Sequence, residues 1–79
     1  VMACNIFPNP FTDTVSITLE SVVNYIQCEI FNLQGKSVYA NQYQGTKTIY
    51  LELSGLDSGV YIIRISNNEG TNTSNIFKY

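Results

Sequence analysis

Polar and apolar residues alternate with a period of two along most of the chain, the spacing of strands with one face buried and one face wet. Val15, Ile17 and Leu19 alternate with Ser16, Thr18 and Glu20, and Ile26, Cys28 and Ile30 alternate with Gln27, Glu29 and Phe31. Val38 and Ala40 are set against Ser37, Tyr39 and Asn41, and Ile49, Leu51 and Leu53 against Thr48, Tyr50 and Glu52. Tyr61, Ile63 and Ile65 then alternate with Val60, Ile62, Arg64 and Ser66. A weaker strand is expected from Thr71 to Phe77 and a short one before Pro8. The pattern predicts about seven strands and no helix.

The punctuation agrees. Pro8-Asn9-Pro10 lacks two backbone donors, which breaks a ladder and fixes an extended, kinked stretch. Gln34-Gly35, Gln44-Gly45, Ser54-Gly55, Ser58-Gly59 and Asn67-Asn68-Glu69-Gly70 each supply a glycine for a turn. A single flat sheet would leave one aliphatic face in water, so two packed antiparallel sheets are expected. Two readings of Gln44-Gly45 bury the same side chains. As a hairpin turn it sets Val38 opposite Leu51, Ala40 opposite Ile49 and Tyr39 opposite Tyr50. In an immunoglobulin-like Greek key the same connection crosses from one sheet to the other.

The segment Leu53-Ser54-Gly55-Leu56-Asp57-Ser58-Gly59-Val60-Tyr61 has the form of a sandwich corner. In such a corner the tyrosine hydroxyl bonds to upstream backbone and fixes the entry into the next strand.

Composition narrows the chemistry. Histidine is absent from the 79 residues, which removes the commonest general base and metal ligand. Lys36, Lys47, Arg64 and Lys78 are the only cations, scattered in a chain of net charge −2, which argues against a nucleic-acid partner. Apolar runs such as Val60-Tyr61-Ile62-Ile63 are too short for a transmembrane segment. The chain starts at Val1 with no charged and apolar leader, as expected for a piece of a longer protein.

Three groups of residues in order resemble one family: Ile6-Phe7-Pro8-Asn9-Pro10 with Asp13, then Ile30-Phe31-Asn32-Leu33-Gln34-Gly35-Lys36-Ser37-Val38, then Leu53-Ser54-Gly55-Leu56 with Gly59-Val60-Tyr61. Together with a closing Ile76-Phe77-Lys78-Tyr79, this is similar to the type IX secretion C-terminal sorting domain (type A) of Bacteroidetes, over residues 6–79. The resemblance implies an all-β, immunoglobulin- or fibronectin-III-like antiparallel sandwich without catalytic activity or cofactor. It implies export of a folded upstream cargo domain through outer-membrane secretion machinery to the cell surface or medium, often with cleavage and attachment by a cell-surface sortase. Residues 1–5 are then expected to be a linker remnant. The recognition residues it points to are Pro8, Asn9, Pro10, Asp13, Gly35, Gly59, Tyr61, Ile76, Phe77 and Lys78. Phe7, Asn32 and Tyr79 stand where the family often has tyrosine, aspartate and a basic or polar residue.

A signal that reads folded cargo has to be a shape rather than a short peptide, and the polar terminal strand, with its edge, is the element expected to present it. Ile76 and Phe77 are adjacent and must point to opposite faces. Other constellations compete. Glu20, Glu29 and Glu52 are expected on outward faces as solvated charges, while Asp13 and Asp57 sit where a side-chain oxygen caps local amides. Asn9 and Asp13 with loop carbonyls are conceivable calcium ligands. Cys4 and Cys28 are expected as free thiols, although a disulfide between them would close a loop of about 25 residues. Tyr39, Tyr43 and Tyr50 on an outward strip would suit sugar stacking, the alternative reading of a carbohydrate- or surface-binding module. Asp13-Thr14-Val15 and Asn72-Thr73-Ser74 match glycosylation patterns.

Overall fold

A computed structural model describes residues 4–68 and 70–79. It contains β1 (Cys4–Phe7), β2 (Thr14–Phe31), β3 (Ser37–Glu52), β4 (Gly59–Asn67) and β5 (Gly70–Lys78). The seven expected strands are all present as paired stretches, but four of them are joined end to end in β2 and β3. The reason is visible in the ladder between these two strands, whose register shifts between Thr18 and Val23. Glu20, Ser21 and Val22 bulge outward there and are exposed, and Gly45 in β3 takes a φ of 60° that favours glycine. Both strands bend at this point without breaking.

The first half of β2 and the last half of β3 lie with β1, which pairs Cys4 with Leu19 and Phe7 with Ser16, while Val15 faces Leu51 and Thr18 faces Thr48. The second half of β2 and the first half of β3 form part of the other layer, where β2 pairs with β4 through Cys28 and Ile65, and β4 with β5 through Tyr61 and Ile76. The Gln44-Gly45 connection is therefore the crossing between layers and not a hairpin turn. Cys4 and Asn5, expected in a linker, open β1 instead; residues 1–3 and Glu69 of the expected 67–70 turn lie outside the described residues.

One interior joins the layers. Val15, Ile17, Leu19, Ile49, Leu51 and Leu53 from one side meet Ile26, Cys28, Ile30, Tyr61, Ile63, Ile65 and Ile76 from the other, with Phe11 between the chain ends. β-Branched side chains suit this pleated, buried surface, and each fully buried one stabilises the fold by roughly 1.5–3 kcal/mol. The inward phase fails at one place. Ala40 is exposed, while Tyr39 faces Ile30 and Tyr43 faces Ile26, so both tyrosines turn toward the interior. Their hydroxyls bond each other at 2.5 Å, which satisfies the polar ends that an inward tyrosine brings with it.

Candidate functional site

The residues singled out near the two chain ends meet. After β1, Pro8 and Pro10 each lack a backbone N–H, which interrupts regular main-chain pairing there. It passes instead along the outer edge of β5. Asn9 Nδ2 donates to the Asn75 carbonyl at 3.0 Å, and the Phe77 amide donates to Asn9 Oδ1 at 2.9 Å. One residue pair on, the Phe11 amide donates to the Phe77 carbonyl at 2.8 Å and the Tyr79 amide to the Phe11 carbonyl at 3.0 Å. The Phe11 ring, 1% exposed, anchors this strap in the core.

Lys78 is held from several sides. Its side chain is buried to 7% exposure, its ammonium donates to the Thr12 carbonyl, and it lies 5.8 Å from the centre of the Phe11 ring. A buried ammonium needs such partners to offset its lost hydration. Gly59, opposite Lys78 with a φ of 147°, starts β4 in a conformation that L side chains rarely adopt. Ser58 Oγ adds a bond to the Tyr79 carbonyl at 2.7 Å. The Tyr61 hydroxyl donates to the Asp57 carbonyl at 2.6 Å, which is the expected corner, and the Tyr61 backbone pairs with Ile76. Ile76 is buried at 1% exposure and Phe77, on the other face, is 46% exposed with its ring edge-on to Tyr79 at 6.5 Å.

Pro8, Asn9, Pro10, Gly59, Tyr61, Ile76, Phe77 and Lys78 thus form one clasp around the end of β5. Asp13 follows the strap, and its carbonyl accepts the Leu53 amide at 2.7 Å. Gly35 belongs to a different turn, between β2 and β3, with a φ of 84°. Asn32 Oδ1 builds that turn by accepting the Gln34 and Lys36 amides at 3.0 and 2.9 Å, so the carboxamide does the acceptor work that an aspartate would do. Sequence reasoning did not find Phe11, Ser58 or the burial of Lys78. A large aromatic directly after the two prolines was the available signal for Phe11.

The competing constellations fare differently. The outward aromatic strip is not formed, because only Tyr50 of the three tyrosines is on the outside, at 73% exposure. Both Asn9 side-chain groups are engaged with β5, which leaves the conceived calcium site without that ligand. Among the described residues no three His, Cys, Asp or Glu side chains gather as a metal site would require. Glu29 pairs with Arg64 at 2.9 Å on the surface, and the guanidinium lies 5.1 Å from the centre of the Phe31 ring. Cys4 and Cys28 are free thiols. Burial pushes the Cys28 thiol up to about 12, helped by the neighbouring Cys4, and burial raises Cys4 as well. Burial, then the bond to Tyr39, raises the Tyr43 phenol. Such thiols are poor nucleophiles at neutral pH.

Fold and clasp define a class of protein, an immunoglobulin-like β-sandwich whose leading segment seals its terminal strand. A DUF3244-family protein from Bacteroides vulgatus with that fold superposes at a TM-score of 0.83 with 16% identity, over 96% of this chain and 84% of its own. A family model for the secretion system C-terminal sorting domain matches residues 5–78, and the chain belongs to that family. Such domains are the non-catalytic signals by which type IX secretion exports cargo proteins across the outer membrane. An ulvan lyase from Nonlabens ulvanivorans is 31% identical over 70 residues, which are 87% of this chain and 13% of that protein. The chain therefore spans a small part of the length of this relative.

Proposed function

We propose that the clasped end of β5, with Phe77 and Tyr79 outward and Pro8-Asn9-Pro10 beside them, is the surface that the outer-membrane secretion machinery reads. The observation that carries this is the convergence of family-resembling residues from both chain ends on one strand. Pro8, Asn9 and Pro10 are more than sixty residues from Phe77 in sequence, yet Asn9 bonds Phe77 directly. A receptor that reads this cluster reads a folded object, because an unfolded chain does not bring the two ends together. Cargo in this scheme lies upstream, and a cell-surface sortase removes the domain after passage. The domain from β1 onward acts as the unit of recognition, with the residues before Cys4 serving as linker to the cargo.

The test is a fusion of this chain to a periplasm-targeted reporter in a Bacteroidetes host. Export to the surface or medium supports the reading, and removal of residues 71–79 should then leave the reporter in the periplasm. Export that survives this removal overturns it.

A further inference from the structure

The outer edge of β5 is a row of peptide groups that turn away from β4, and a strand edge of this kind is a template for pairing with other chains. At its end the edge is sealed by two devices of different kinds. Phe11 uses its own amide and carbonyl, as a strand would. Asn9 uses its side chain, with one donor on the Asn75 carbonyl and one acceptor under the Phe77 amide. By the register of Phe11, the main chain of Asn9 would be next to pair with Asn75 and Phe77, and its side chain makes those two bonds instead. A carboxamide is the one short side chain that carries a donor and an acceptor in a plane, as a peptide does. The flipped amide would set donor against donor and acceptor against acceptor, so the two bonds also fix its orientation.

We propose that Asn9 is a positioning residue for recognition: its carboxamide replaces a peptide unit of a neighbouring strand and holds the edge of β5 closed at Asn75 and Phe77. This rests on the reading of β5 as the recognised strand, and the two are separable by experiment. In Asn9→Ala the amide-exchange protection of Phe77 should fall about tenfold or more, while Ile63 and Ile65 in β4 keep theirs. Asn9→Asp gives a sharper test. Above its ordinary carboxyl pKa of about 3.9 both oxygens are acceptors, and one of them faces the Asn75 carbonyl. Below that pKa the proton restores the donor. Protection factors at Phe77 and Tyr79 should therefore be low at neutral pH and return toward those of the wild-type protein near pH 3. A side chain that only fills space gives no such recovery.

Unchanged Phe77 protection in Asn9→Ala, or no difference with pH in Asn9→Asp, overturns the proposal. So does normal export of a reporter fusion in which Asn9→Ala has lost Phe77 protection. Export that persists without residues 71–79 sinks instead the reading on which it rests.

Discussion

Replacing Ile76 and replacing Phe77 by alanine should have different consequences, although the two residues are neighbours. Ile76 is 1% exposed and faces Tyr61 across the ladder, so Ile76→Ala leaves a hole in the shared interior. Such truncations cost about 2–5 kcal/mol. A domain of 79 residues has a total stability of about 4–12 kcal/mol, so this is a large share of it. At about 4–8 °C per kcal/mol the midpoint of thermal unfolding should fall by at least about 8 °C. Phe77 is 46% exposed, and its edge-on contact with Tyr79 is worth about 0.5–1.5 kcal/mol. Phe77→Ala should therefore shift the midpoint by less than Ile76→Ala does. The assay is thermal unfolding followed by circular dichroism, paired with the distribution of a fused reporter between periplasm and medium. Export is measured well below both midpoints. Phe77→Ala is expected to stay folded and lose export, whereas any loss in Ile76→Ala should track its unfolded fraction. Equal destabilisation by the two changes refutes the assignment of faces. Normal export of folded Phe77→Ala refutes recognition through this surface.

Tyr61→Phe keeps the ring and removes the 2.6 Å bond to Asp57, and should cost about 1 kcal/mol in urea unfolding; a neutral result shows that the corner bond is idle. The Cys28 thiol is pushed up to about 12 from 9.0, so the unfolded chain ionises first as pH rises. Its contribution is fully present below pH 9.0 and lost as pH climbs toward 12, a window in which Cys28→Ala should show a flatter fall of the urea midpoint than wild type. Arg64→Ala should cost less than about 1 kcal/mol, because the pair with Glu29 has side chains 49% and 20% exposed; a loss of several kcal/mol, measured at low and high salt, contradicts this.

Much of the fold was legible because alternation records burial directly. The inward rows of β2 and β4, the stretch from Ile49 to Leu53 and the opposite fates of Ile76 and Phe77 all follow from period two. The corner was legible because Tyr61 and its partner Asp57 are close in sequence. What alternation does not encode is whether a strand stops or bends, since the pattern is the same on both sides of Gly45. It also misplaces amphipathic side chains. Tyr39 and Tyr43 read as outward beside Val38 and Ala40, yet their rings pack inward once the hydroxyls have each other as partners. Nothing in the alternation marks the burial of Lys78, because it depends on Thr12 and Phe11 at the far end of the chain. The role of Asn9 was hidden for the same reason, because both of its partners are more than sixty residues away.

The long bent strands have a mechanical consequence. Because β2 and β3 each belong to both layers, pulling one layer apart strips hydrogen-bonded partners from the other. Piecemeal melting is thereby discouraged, and the domain should lose its form all at once or keep it whole. For an address label that is read by shape, this means that a half-legible version is scarcely populated.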